Sequence, residues 1–204
     1  MDSSIGGKTG INSKFGKNLI GSFYQPRLVV SDISFLKSLP KREMLCGYAE
    51  VFKHSLILNR NFFNFLDKNI KQILSLKTNY IDRSIYKSCI IKRNVVERDF
   101  KENGLRKILN FGHTFGHAYE ASLDYSSTLN HGEAVLLGIS SASRFSYENK
   151  ILGISELNLI SKHIKKINGN LCLNSFFKKN HIKKITKFMS VDKKNSDDKI
   201  NLIL

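Results

Sequence analysis

Asn110-Phe111-Gly112-His113-Thr114-Phe115-Gly116-His117, with its sequel Asn130-His131-Gly132-Glu133-Ala134, is the stretch that orders the rest of the chain. Three of the six histidines lie inside it. His113 and His117 are four residues apart, so a helix turns both to one face. His131 returns after a short helix and a Ser/Thr-rich turn. Imidazole is the commonest protein ligand for zinc-like ions, and a catalytic ion keeps one coordination position open. Two histidines and one carboxylate would leave that position free. The same spacing also suits plain surface polarity or a satisfied core. A glycine before each histidine, flanked by Phe111 and Phe115, favours close approach of backbone or ligand. The pattern is not His-Glu-x-x-His, so a zinc-protease reading has no support.

Working outward, Ala134–Phe145 is apolar nearly all round and reads as a central helix. Leu157, Ile160, Ile164 and Ile167 predict a further helix. Upstream, a helix over Arg42–Leu58 is expected, capped by Ser38 with Pro40 in its entry turn. Its apolar positions are Leu45, Val51, Phe52 and Leu56. Glu50, Lys53 and His54 sit at i, i+3 and i+4, a polar cluster that reads as a solvated face or as part of a site. Glu50 is the candidate third metal ligand, and His54 competes for the role on spacing alone. Phe62, Phe63, Leu66, Ile70, Ile73 and Leu74 form a core stripe. The next helix places Ile81, Ile85, Cys89, Lys92 and Val96 in line, so Lys92 interrupts an apolar face. A buried lone ammonium is costly, so Lys92 either reaches water or lines a pocket for an anion. Arg106, after Gly104-Leu105, offers a planar fork for a carboxylate or phosphate.

The opening Met1-Asp2-Ser3-Ser4-Ile5-Gly6-Gly7-Lys8-Thr9-Gly10 contains Gly-Gly-Lys-Thr. Asp2 stands where a P-loop needs its first glycine, so the loop around Lys8 is a plain turn or a simpler anion wrap. Leu28–Val30 reads as a short buried strand and Ile200–Leu204 as another. Strands with so few partners are not stable alone, so the sequence is expected to begin partway through one domain and to stop early in its last.

The 204 residues carry 41% hydrophobic side chains, enough for a packed core, and a formal net charge of +16. Such a charge admits nucleic acid, an anionic membrane or an anionic small substrate. Most of it is lysine in a chain rich in isoleucine and asparagine, which points to compositional bias. Basic residues interleaved with aromatics, as nucleic-acid binding needs, come nearest at Phe176–Met189. Cys46, Cys89 and Cys172 form no Cys-x-x-Cys pair, which argues against a disulfide framework or cysteine zinc site. No apolar run reaches a membrane span and no apolar signal region opens the chain, so a cytoplasmic protein with no membrane partner is expected.

Several segments together resemble the 3-dehydroquinate synthase family of the shikimate pathway. They are Asp2–Thr9, Gly16–Gly21, Leu39–Glu43, Gly47-Tyr48-Ala49-Glu50-Val51, Gly104–Arg106, Leu109–His117 and His131–Val135, in one order over nearly the whole chain. The resemblance implies a mainly α fold. The tail end of a Rossmann-like α/β NAD domain (1–36) would precede an α-helical metal- and substrate-binding domain (37–204), truncated at both ends, with the active site in the cleft between. The family's metal ligands would be Glu50, His113 and His131, holding Zn or Co. Lys8, Lys17 and the Phe35-Leu36-Lys37-Ser38 turn would lie on the NAD side. Asp2, Asn18, Lys53, Lys92, Arg106, Asn110 and His117 would contact substrate, with Lys193 or Lys194 closing over it. His54 matches no family ligand.

The implied reaction converts 3-deoxy-arabino-heptulosonate 7-phosphate, an anionic sugar-acid phosphate, to 3-dehydroquinate and phosphate with NAD, in an enzyme that is a homodimer when intact. Related sugar-phosphate cyclases such as the 2-deoxy-scyllo-inosose synthases share much of the pattern. An inactive remnant and a basic nucleic-acid-binding helical protein are the readings from other classes. The Gly-rich turn that seats a dinucleotide pyrophosphate is expected upstream of Asp2, so NAD binding would need the N-terminal half.

Overall fold

The computed structural model describes residues 2–13, 16–190 and 200–204, with backbone alone at 12, 13 and 16–19. Lys193 and Lys194 therefore fall outside the described residues, as do the side chains of Lys17 and Asn18. The chain forms two compact units, Met1–Leu39 with His54–Leu109, and Pro40–Lys53 with Asn110–Leu204.

In the first unit, β1 (Lys8–Ser13) and β2 (Gly16–Phe23) form an antiparallel hairpin, with Lys8 opposite Phe23 and an irregularity between Ile11 and Ser13. Sequence reading missed this hairpin because polar and glycine residues interrupt its alternation. The strand expected at Leu28–Val30 is absent. Those residues are extended but unpaired, and Leu28 and Val30 are each 79% exposed. β-branched content favours a strand only where a neighbour supplies the ladder. Ile200–Leu204 is likewise not a strand.

α2 (Arg60–Leu74) and α3 (Thr78–Arg98) pack together. Asn59 caps α2 by accepting from the Phe62 amide, and Phe62, Phe63, Leu66, Ile70 and Ile73 are buried as the stripe predicts. On α3 the buried face is Ile81, Ser84, Ser88, Ile91, Val95 and Val96, turned from the expected line. Its serines are tolerated because Ser84 donates to the Tyr80 carbonyl and Ser88 pairs with His54 Nδ1 at 2.7 Å. Lys92 thus sits at the margin of the buried face.

In the second unit, α5 (His131–Glu148) is the central helix, with ten residues between Gly132 and Ser146 buried. α4 (His113–Ser122) and α6 (Ile154–Ile167) pack against it, and α7 (Ile182–Ser190) packs on α4. Tyr119, Leu129, Ala134, Leu137 and Phe177 form one core cluster here. α1 (Lys41–Leu58) contributes its first thirteen residues, to Lys53, to this unit and the rest to the other. Its first amides bond the Pro40 carbonyl. Ser38 does not cap it; its hydroxyl donates to the Phe35 carbonyl and closes the 3-10 turn Ile33–Ser38. On α6, His163 is fully buried, 3.0 Å from the Tyr48 hydroxyl and stacked on Phe52 at 4.6 Å.

Candidate metal centre

Glu50, His113 and His131 all belong to the second unit, and one donor atom from each lies within 4.8 Å of the other two. His113 Nε2 is 3.3 Å and His131 Nε2 3.9 Å from the same oxygen, Glu50 Oε1. Tetrahedral ligands about 2 Å from an ion stand roughly 3.3 Å from one another, so the spacing is that of a ligand set slightly opened. That oxygen is buried and has no hydrogen-bond partner. The two ring tautomers explain why. His113 Nδ1 faces the Phe111 carbonyl at 3.2 Å, which can only accept, so Nδ1 carries the proton. His131 Nδ1 faces Glu120 Oε2 at 3.0 Å, with the same result. Two nitrogen lone pairs and a carboxylate oxygen then converge with no proton between them. Buried, unpaired polar atoms are costly, and a cation among them would relieve all three. The residues present therefore fit a divalent ion.

Electrostatics agree. Burial pushes the Glu50 carboxyl upward, yet it is held well below the usual carboxylate range, chiefly by the Lys53 ammonium. Lys53 Nζ lies 2.5 Å from Glu50 Oε2, so the polar cluster on α1 is buried and paired rather than solvated. Burial, and next the Lys53 charge, push the His113 imidazole below its ordinary value. It is neutral at pH 7, the form that ligates a metal.

The surrounding structure fixes these side chains. Gly112 has φ +76, and a Cβ there would stand 2.7 Å from the Ile139 amide of α5. Glycine alone lets α4 begin so close to α5. Gly132 serves the same end at α1, where a Cβ would overlap the Cys46 backbone. His131 is the first residue of α5, behind the cap Asn130, which accepts from the Glu133 amide while Glu133 accepts from the Asn130 amide. Arg42 forks onto both Glu133 oxygens, at 3.0 and 2.6 Å, and also holds the Ser127 and Thr128 carbonyls. Of these supports, Glu120, Arg42 and Glu133 escaped sequence reading. Asn130-x-x-Glu133 is a legible capping box, and Glu120 falls two helical turns after His113, on the same face.

His117 stands beside the cluster, its ring 5.3 Å from that of His113 and 6.0 Å from that of His131. Asn110 ends the 3-10 turn Leu105–Asn110 and is half-buried. In the first unit, Lys92 has found its anion in Asp2, donating to Oδ2 at 2.9 Å and to the Asp2 carbonyl at 2.7 Å. Lys8 is ion-paired with Glu102. Arg106 is buried; it donates to the Gly6 and Phe100 carbonyls, lies over the Phe23 ring, and has no hydrogen-bond partner at Nε. Phe35, Lys37 and Ser38 are exposed and Leu36 half-buried. His54 lies in the first unit against Ser88.

The 3-dehydroquinate synthase C-terminal profile matches residues 47–195, and the N-terminal profile of that family matches 1–46. The 3-dehydroquinate synthase of Pelagibacter ubique is 58% identical over all of this chain, which covers 55% of that relative. That of Dictyoglomus thermophilum is 45% identical, again over the whole chain and 56% of its own length. The chain thus spans about half the length of the curated relatives it matches. Among solved structures, a 2-deoxy-scyllo-inosose synthase complexed with carbaglucose-6-phosphate, NAD+ and Co2+ aligns with TM-score 0.75 and 27% identity, over 92% of this chain and 50% of that one. The 2-epi-5-epi-valiolone synthase of Streptomyces hygroscopicus shares the fold, with TM-score 0.77 at 22% identity over 92% of this chain and 52% of that one. No helix among the described residues is long and apolar enough to cross a membrane. With both profiles and these relatives in agreement, the chain belongs to the 3-dehydroquinate synthase family.

Proposed function

We propose that this chain supplies the metal- and substrate-binding part of a 3-dehydroquinate synthase, acting on 3-deoxy-arabino-heptulosonate 7-phosphate in the cytoplasm. The observation that carries the reading is the buried Glu50 oxygen faced by two imidazole Nε2 atoms. Glu50, His113 and His131 would hold one zinc or cobalt ion, since a His2Glu set suits both. When bound, the ion acts as a Lewis acid on adjacent substrate oxygens. Residues 37–204 would form the helical domain and 1–36 the end of the NAD domain.

The chain's own residues then bind and orient a polyanion. Lys92 would exchange Asp2 for the substrate carboxylate, while Arg106, which donates to the Gly6 carbonyl, would fix the Gly6 loop. Lys53, Asn18, Asn110 and His117 would hold phosphate and hydroxyl oxygens. Fixed donors around a charged substrate act chiefly by positioning it. For NAD the fit is different. Among the described residues the sheet is a two-stranded antiparallel hairpin, with no parallel strand–helix–strand unit to cradle a pyrophosphate. The residues here do not fit the dinucleotide by themselves. We place its main seat outside residues 1–204, with Lys8, Lys17 and the Phe35–Ser38 turn at its edge.

Cobalt titration of the purified chain tests the reading. One equivalent should bind, and Glu50→Ala should weaken it by more than about a hundredfold, beyond the usual cost of losing an outer partner. Unchanged affinity in that variant would end the ligand assignment.

A further inference from the structure

We infer that Glu120 is a positioning residue that makes His131 a metal ligand; the inference rests on the metal reading above. The two histidines are oriented by different means. His113 Nδ1 is held by a backbone carbonyl, that of Phe111, which no side-chain substitution removes. His131 Nδ1 is held by a side chain, the Glu120 carboxylate, at 3.0 Å. An ionised carboxylate only accepts, so it fixes the proton on Nδ1 and leaves the Nε2 lone pair facing Glu50 Oε1. His131 opens its helix and its side chain is 36% exposed; its ring meets those of His113 and His117, and the Glu120 carboxylate is what holds its Nδ1. Glu120 is 6% exposed and its helix is buried on several sides, so its own position is well fixed. α4 thus supplies one ligand directly and aims another on a different helix. A carboxylate behind a ligating imidazole also raises its basicity, and such outer partners govern affinity.

A rival arrangement exists. His117, Glu120 and His131 also place donor atoms within 4.8 Å of one another. An ion seated there would take the Glu120 oxygen as a direct ligand. The 3.0 Å separation of Glu120 from His131 Nδ1 is that of a hydrogen bond instead.

The test is cobalt affinity of the full 204-residue chain, read by visible absorption against a competing chelator. Far-UV circular dichroism and thermal unfolding of each metal-free variant report folding. Glu120→Ala should weaken cobalt about tenfold to a hundredfold. Glu120→Gln keeps an accepting oxygen in the same place and should recover most of that loss. In a His131→Ala background, Glu120→Ala should change affinity by less than about twofold, because the two act as one unit. Should Glu120→Ala not fold, the Glu120→Gln and His131→Ala cycle reads the same coupling: a small weakening alone and none beside His131→Ala. A further weakening in the His131→Ala background, or a glutamine variant as damaged as the alanine one, would make Glu120 a ligand and overturn the proposal. So would wild-type affinity in Glu120→Ala. If the wild-type chain took up no cobalt, the metal reading would fall and this role with it. Wild-type binding that survives Glu120→Ala removes only the role.

Discussion

The α4–α5 pair and the segment from β1 to Leu39 both carry proposed site residues, yet they are built in opposite ways. In the first, backbone meets backbone at Gly112, and His113, Thr114 and Glu120 are buried with the apolar residues around them. In the second, Ile20, Tyr24, Leu28, Val30 and Phe35 all lie exposed, and among the described residues the regular structure is one hairpin and the 3-10 turn Ile33–Ser38. A ligand set on packed helices has its geometry fixed by the core. Residues on an extended segment have theirs fixed only by the few groups they bond, as Lys8 is by Glu102.

Substitutions at four positions sharpen that contrast. Phe52→Ala removes a fully buried ring stacked on His163 and should cost about 3–5 kcal/mol in denaturant unfolding; a cost under about 1 kcal/mol would mean the helical core is loose. Arg42→Ala removes the fork on Glu133 and the two carbonyl contacts. With the side chain 44% exposed and solvent-screened, about 1–2 kcal/mol is expected. Arg42→Lys should recover less than half, because an ammonium cannot fork; full recovery would reduce Arg42 to a simple charge. Leu28→Ser or Val30→Ser should stay within about 0.5 kcal/mol. A larger loss in the same unfolding experiment would show that the extended segment is packed after all.

The helical half was legible because its signals are periodic. The stripe Phe62–Ile73 and the all-round apolar run after Glu133 both follow from side-chain spacing alone. The proposed ligands were legible because histidine and glutamate are chemically narrow and the spacing left few choices. Glu120 was not, since a glutamate late in an apolar helix reads as a solvated end until the helix beyond it is placed. α3 was misread by part of a turn, because serine looks polar in sequence but is satisfied by its own helix at Ser84. The hairpin hid because glycine and polar residues break the alternation that marks a strand. Leu28–Val30 failed for the converse reason: strand-like composition, with no ladder to join.

Lys53 is 3% exposed and keeps its ammonium against the carboxylate that a metal would also claim. The pair is electroneutral as it stands. A divalent load would leave this pocket with surplus positive charge and an ammonium sharing its counter-ion. An incoming anion would cancel the surplus. By thermodynamic reciprocity, anion and metal should then each tighten the hold on the other, so that loading one half of the pocket prepares the second.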